Sequence, residues 1–209
     1  VDEVGRGALA GPLTVGAVVV TDDAPPPTGL ADSKALTPAQ REALVEPIRA
    51  WASAWSLGWA SAEEVDQWGL RTALAVAATR ALANLPTDPD LCLIDGAVNL
   101  LRAAVDQPPG RPAPPALAFA TLDCRPIVRG DGACASIAAA SVLAKVARDD
   151  AMVLLDRDHP AYGWARNKGY GVPEHLAALA RLGPTELHRR TWRLPAPEQS
   201  EPGAFGAKE

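Results

Sequence analysis

Cysteine is scarce in this chain. Its 209 residues include Cys92, Cys124 and Cys134, an odd number with no C-x-x-C spacing, which argues against a disulfide framework or a structural zinc site. A reducing, intracellular compartment fits best. Long apolar runs are missing too: no stretch of about 18 apolar residues could cross a bilayer, and no charged leader precedes an apolar segment. The expectation is a soluble, cytoplasmic protein without membrane contact. The formal net charge of -5 gives no whole-protein attraction to nucleic acid, so any contact with phosphates must come from local clusters. Such a cluster exists: from Ala140 to Leu194 nine basic residues stand against six acidic ones, a local +3 that leaves -8 elsewhere. Lysine is rare, yet Lys34, Lys145 and Lys168 all fall within motif-like stretches, leaving only Lys208.

What is present is ample apolar material. A hydrophobic content of 48% suffices for one compact domain with a sizeable core. The Val-rich run Leu13 to Val20 follows a Gly-rich segment and predicts a buried strand, with Val1 to Val4 as its partner. Thr37-Pro38-Ala39-Gln40 has the form of a capping box with proline at the first helical position, predicting a helix from Pro38 to Trp51. Trp55 to Trp59 predicts a strand, and Ser61 to Glu64 a second capping box. The Ala-rich stretch Leu70 to Leu85 predicts a helix, and Leu91 to Ile94 a short strand ending at Asp95-Gly96. Val105 to Pro115 is too rich in proline for regular structure and predicts a surface loop. Two further helices are expected, a long one from Ser136 to Asp158 and another from Pro173 to Leu182. Leu194 to Glu209 has little to bury and predicts a disordered tail. No internal repeat is visible. This order points to an α/β layer fold with a mixed sheet and a helical C-terminal third.

Three places carry acids in suggestive settings. Asp2-Glu3-Val4-Gly5-Arg6-Gly7 joins two adjacent carboxylates on a strand to glycines flanking an arginine. A solvated acidic pair and a simple turn are the plain alternatives, and successive strand residues point to opposite faces, so a regular strand would not let the pair share one ion. Asp95 ends a strand, where α/β sheets place ligand-binding groups, though an Asp-Gly turn would look the same. Asp131 precedes the long helix, where a turn or a favourable charge at a helix N-terminus is the alternative. Hard cations such as Mg²⁺ take carboxylate oxygens, and a pair of them about 4 Å apart can clamp the attacking and leaving oxygens of a phosphodiester. On the long helix Ser141, Lys145 and Arg148 lie on one face, able to meet phosphates or simply to be solvated. The histidines His159, His175 and His188 lack metal or triad spacing and read as solvated or capping groups.

Together these segments resemble the ribonuclease HII family. Val1 to Gly7, Asp32-Ser33-Lys34, Leu93-Ile94-Asp95-Gly96, Gly130-Asp131, Ser136 to Ser141 with Ala144-Lys145-Val146, and Asn167-Lys168-Gly169-Tyr170-Gly171 occur in the family's order, and the likeness runs to about Trp192. The resemblance implies a ribonuclease-H-like fold, a mixed five-stranded sheet flanked by helices with a helical C-terminal region. It implies that Asp2, Glu3, Asp95 and Asp131 bind two Mg²⁺ or Mn²⁺ ions and carry catalysis. It also implies substrate contacts by Gly5, Arg6, Gly7, Lys34, Ser141, Lys145, Lys168 and Tyr170. The backbone of Gly5, Arg6 and Gly7 would read the 2′-hydroxyl at an RNA-to-DNA junction, and Tyr170 would pack on the following deoxyribose.

The implied activity is endonucleolytic cleavage of RNA in RNA–DNA hybrids, and of DNA duplex 5′ to single ribonucleotides, leaving 3′-hydroxyl and 5′-phosphate ends. Residues 1–193 would form the catalytic domain, acting as a monomer, and 194–209 the tail. A related alternative is ribonuclease HIII, whose members carry a long N-terminal substrate-binding domain and lack the junction tyrosine; Tyr170 argues against it. Another is a non-catalytic hybrid-binding protein holding nucleic acid through Lys145, Lys168 and Arg189. The sequence departs from the family in two ways. It starts one residue before Asp2, where members carry about a dozen more, so a longer natural chain is expected. The segment from the proline-rich loop through Pro126 is also longer than usual.

Overall fold

The computed structural model describes residues 1–21, 24–101, 113–115, 119 and 121–196. The expected tail from 197 onward and most of the proline-rich loop lie outside the described residues. Strands β1 (Asp2–Val4), β2 (Leu13–Val19) and β3 (Ala54–Ala60) form an antiparallel sheet in that order, while β4 (Leu91–Asp95) pairs in parallel with β5 (Asp123–Ile127). A single five-stranded sheet is the expectation from the family. The described residues give these two sheets, tied at Val1, whose nitrogen donates to Leu93 O at 2.7 Å and whose carbonyl accepts from Asp95 N at 3.0 Å.

The helices are α1 (Pro38–Trp51), α2 (Ala62–Trp68), α3 (Leu70–Ala83), α4 (Gly130–Ala133), α5 (Ala135–Asp156), α6 (Trp164–Asn167) and α7 (Pro173–Leu182). Both capping boxes form as expected: Thr37 with Gln40 starts α1, and Ser61 with Glu64 starts α2. Each satisfies amides that the first helical turn would otherwise leave without partners.

Strand β2 reads as a continuous apolar run because both of its faces are covered. Leu13, Val15 and Ala17 pack with Ala73, Ala77 and Ala81 of α3. Val18, on the opposite face, packs with Ala139, Ala140 and Leu143 of α5 and with Leu44 and Ile48 of α1. A third cluster joins Met152 of α5 to Tyr162, Trp164 and Leu179 of the C-terminal region, with Ala10 from the segment after β1. The N-terminal and C-terminal segments therefore meet at the end of α5.

Small residues set the spacing between sheet and helix. At Gly58 on β3 an added Cβ would run into the Ala77 carbonyl and the Ala81 amide of α3. Both are backbone atoms held in a helix and cannot swing away. Gly58→Ala is expected to lower unfolding free energy by about 3 kcal/mol through overpacking, read as a lower denaturant midpoint at unchanged slope.

Candidate active site

The ladder registers decide where the acids point. Asp2 lies opposite Gly16 and Glu3 opposite Val15, so Asp2 shares the face of β2 that α5 covers and Glu3 the face toward α3. Asp2 is buried, and its Oδ1 accepts from Glu3 N at 2.8 Å. Burial, with repulsion from Glu3 and Asp95 added to it, drives the Asp2 carboxyl up to about 7 against the opposing hydrogen bond of Ser141. Ser141 Oγ is in turn 2.8 Å from Ser33 Oγ. Burial likewise raises the Glu3 pKa above the ordinary carboxylate range; Arg6, 3.4 Å away, opposes the rise and Asp95 adds to it.

Asp95, at the end of β4, accepts from Gly130 N at 2.8 Å and Asp131 N at 3.4 Å. That bond places α4, and with it Asp131, beside the strand end. Asp131 is 9% exposed and its Oδ2 receives the mostly exposed Lys34 Nζ at 3.4 Å. Lys34 and Ser33 come from one short 3-10 turn, capped by Asp32 Oδ1 accepting from Lys34 N. The Asp-Ser-Lys triplet thus serves Asp2 through Ser33 and Ser141, and Asp131 through Lys34.

Among the described residues no three acidic or other ligating side chains stand close enough, as placed, to hold a metal ion. The reasons are local: Asp2 and Glu3 occupy opposite faces, Asp131 leans to Lys34, and Asp95 is engaged by amides. The donor chemistry nevertheless fits a hard divalent ion. Asp95 repels both Asp2 and Glu3 where burial already disfavours the ionised forms of those two, and a divalent cation relieves both penalties.

The second half of the site is cationic beneath and open above. Gly5 has a φ of +87°, and a Cβ there would collide with the Arg148 side chain, so only glycine lets this chain cross Arg148. Arg148 is fully buried and donates to Pro12 O at 2.9 Å, Lys168 O at 3.0 Å and Ala10 O at 3.3 Å, with its guanidinium 5.4 Å from the Tyr170 ring centre. Arg189, equally buried, donates to Gly5 O at 2.6 Å and Arg6 O at 2.8 Å. Leu9 N donates to Gly169 O at 2.8 Å, tying the Gly-Arg-Gly segment to the segment of Tyr170. Above this floor the Arg6 side chain is exposed and Gly7 has nothing within 4 Å of an added Cβ. Tyr170 is half-buried.

Several readings from sequence need correction. Ser141 and Arg148 do not face outward with Lys145 but are buried, and Arg189 is no surface contact; both guanidinium groups are enclosed and donate to backbone carbonyls, with Arg189 Nε left without a partner. His175 and His188 are not solvated or simple caps but are fully buried and bonded to each other at 3.1 Å. Lys145 is held by Asp149 one turn along α5, and Lys168 Nζ turns back to Ala165 O. What sequence reasoning missed is this buried polar floor. Its one signal is that Arg148 continues the stripe Ile137, Ser141, Ala144 and Met152, the buried face of α5.

The family profile described as Ribonuclease HII matches residues 1–194. The chain belongs to the ribonuclease HII family. Curated relatives include Ribonuclease HII of Streptomyces avermitilis, 45% identical over 192 residues that cover 92% of this chain and 75% of that one. Ribonuclease HII of Cereibacter sphaeroides is 48% identical over 193 residues, covering 92% and 82%. The crystal structure of the ribonuclease H2 from Pyrococcus horikoshii OT3 matches with a TM-score of 0.67 over 91% of each chain at 24% identity. The ribonuclease HII solved with PCNA from Archaeoglobus fulgidus gives the same values. These two structures share the fold, and membership of the family makes this chain a type 2 ribonuclease H, a metal-dependent nuclease acting on nucleic acid. No helix among the described residues is long and apolar enough to cross a membrane.

The Asp2 shift makes a stability prediction. In the folded, metal-free protein Asp2 keeps its proton up to about pH 7, whereas unfolded it ionises near its ordinary value of 3.8. The folded state therefore binds the extra proton between these values, and the Asp2 contribution to stability falls as pH rises through that window, by on the order of 4 kcal/mol in all. In chelator, the fall in melting temperature between pH 5 and pH 8 is expected to shrink in Asp2→Asn. In the unmutated protein, Mg²⁺ at pH 8 is expected to restore it.

Proposed function

We propose that this protein cuts the RNA strand of RNA–DNA hybrids and the phosphodiester 5′ to single ribonucleotides in duplex DNA. The cut leaves 3′-hydroxyl and 5′-phosphate ends by two-metal-ion hydrolysis with Mg²⁺ or Mn²⁺. The observation that carries the reading is the crowding of Asp2 and Glu3, whose carboxyl pKa values are raised, with Asp95, and Asp131 one hydrogen bond from Asp95. Divalent ions held by these four acids would lower the pKa of the attacking water and neutralise charge developing on the phosphate.

The chain's own residues do the rest. Ser141, bonded to Ser33, orients Asp2. Lys34 is mostly exposed and leaves Asp131 for a phosphate once Asp131 is otherwise neutralised. Lys145 and Lys168, each tethered to one local residue, supply further phosphate contacts. The backbone of Gly5, Arg6 and Gly7 reads the 2′-hydroxyl, the group that distinguishes RNA from DNA at a given position, and Tyr170 packs on the deoxyribose beyond it with Arg148 against its ring. Residues 1–193 form the catalytic unit, acting as a monomer in the cytoplasm.

Asp95→Asn tests the acid cluster. Asparagine keeps an oxygen to accept from Gly130, so the fold is expected to hold, while a neutral, poorer ligand lowers the cleavage rate in Mg²⁺ by about 10²-fold or more. Near wild-type turnover removes Asp95 from the site. Tyr170→Ala tests the reader: duplex DNA with one ribonucleotide is expected to lose cleavage selectively, with affinity for plain duplex changed less. Mapping product ends on labelled substrate, with and without chelator, checks the chemistry itself.

A further inference from the structure

Outside the acid cluster, the largest fully buried side chains that carry polar groups gather in one place among the described residues. Trp164, His175, His188, Arg148 and Arg189 are each at most 1% exposed. His188 and Arg189 are consecutive residues after α7 and lie against the N-terminal segment, through the bridge of His188 with Ala10 and the bond from Arg189 N to Leu9 O at 2.9 Å. Two arms leave this pair. Arg189 reaches the Gly5 and Arg6 carbonyls. His188 reaches Tyr170 through His175.

The donors fix the direction of that second arm. The Trp164 indole N–H can only donate, so His175 Nε2, 3.1 Å away, accepts. The His175 proton is then on Nδ1, which donates to Tyr170 O at 2.9 Å. His188 Nε2 then shares that single His175 lone pair as a second donor at 3.1 Å, and its own Nδ1 accepts from Thr185 N at 2.9 Å. Both rings are neutral, as burial also favours by lowering their pKa values.

We propose that Arg189 and His188 are positioning residues that set the spacing between the Gly5–Gly7 backbone and Tyr170, and through it the preference for an isolated ribonucleotide over continuous hybrid. This rests on the reading of those two segments as the junction reader. The spacing matters unequally for the two substrates. A continuous hybrid carries no deoxyribose beyond the cut for Tyr170 to pack on, so its cleavage does not need both contacts met at once. A single ribonucleotide is read by both, and an error of about 1 Å between them costs about 10²-fold in rate.

The test compares kcat and KM on duplex DNA containing one ribonucleotide and on continuous RNA–DNA hybrid, in Mg²⁺, at a temperature where circular dichroism shows each variant folded. Arg189→Lys keeps the charge but cannot span two carbonyls. Thr185→Val is gentler, removing the hydroxyl 3.0 Å from His188 Nδ1 without emptying a buried space, and it decides the matter if Arg189→Lys does not fold. Both are expected to lower kcat on the single ribonucleotide, Arg189→Lys by about 10-fold or more, with hybrid cleavage within about threefold of wild type. Equal losses on both substrates, or no loss on either, overturn the proposal. Wild-type protein that cleaves neither substrate overturns the functional reading itself and the proposal with it, an outcome seen before any variant is made.

Discussion

A carboxylate placed where water cannot reach it is the constraint on which the site depends. Asp2 sits opposite Gly16 on the face of β2 that α5 covers, and at Gly16 an added Cβ would strike the Ala140 carbonyl. The alanines of α5 let helix and strand approach that closely, and the approach is what desolvates Asp2. A buried charge without a partner shifts its pKa instead of persisting. The same small residues that make the core compact therefore make the acid cluster dependent on an added cation.

Nearby positive charge does not answer this need. Arg148 and Arg189 lie buried under the segment that follows β1, yet their donors go to carbonyls of Gly5, Arg6, Ala10, Pro12 and Lys168. Those carbonyls belong to irregular backbone with few ladder partners, and buried carbonyls need donors wherever they can be found. Burial, with Arg148 adding repulsion, pulls the Arg189 pKa down to about 10, so the guanidinium stays charged at neutral pH. The site is thus split into an acidic half short of cations and a cationic half short of acids.

Local signals were legible in the sequence and long-range ones were not. Thr37 with Gln40 and Ser61 with Glu64 name their helix starts because a capping box closes within four residues. Strand β2 is legible because coverage on both faces leaves an unbroken apolar run. Strand β5 is not: it carries Asp123, Arg125 and Pro126 and is mostly exposed, and proline and charge at a sheet edge give no period to read. The four acids could be picked out by their neighbours and by the family resemblance. Arg148, His175, His188 and Arg189 could not, since residue type alone puts arginine and histidine at the surface, and what encloses them comes from segments more than a hundred residues away or from a different turn of chain.

The adjacent acids of β1 pose a problem that the strand's length goes far to resolve. On a long strand Asp2 and Glu3 would serve different faces and never meet. Here β1 is three residues long, and the chain turns out of the sheet at Gly5 with positive φ. Asp95, at the end of β4, is close enough to raise the pKa of both. Both acids thus feel Asp95 at a strand end although their side chains leave β1 on opposite faces. Glu3 is meanwhile held by Arg6 and Asp131 by Lys34, two basic side chains that are 65% and 76% exposed while their acids are 15% and 11% exposed. Whatever neutralises Glu3 and Asp131 from within frees Arg6 and Lys34 at the surface, so the charge that the acids lose on the inside becomes positive charge available on the outside.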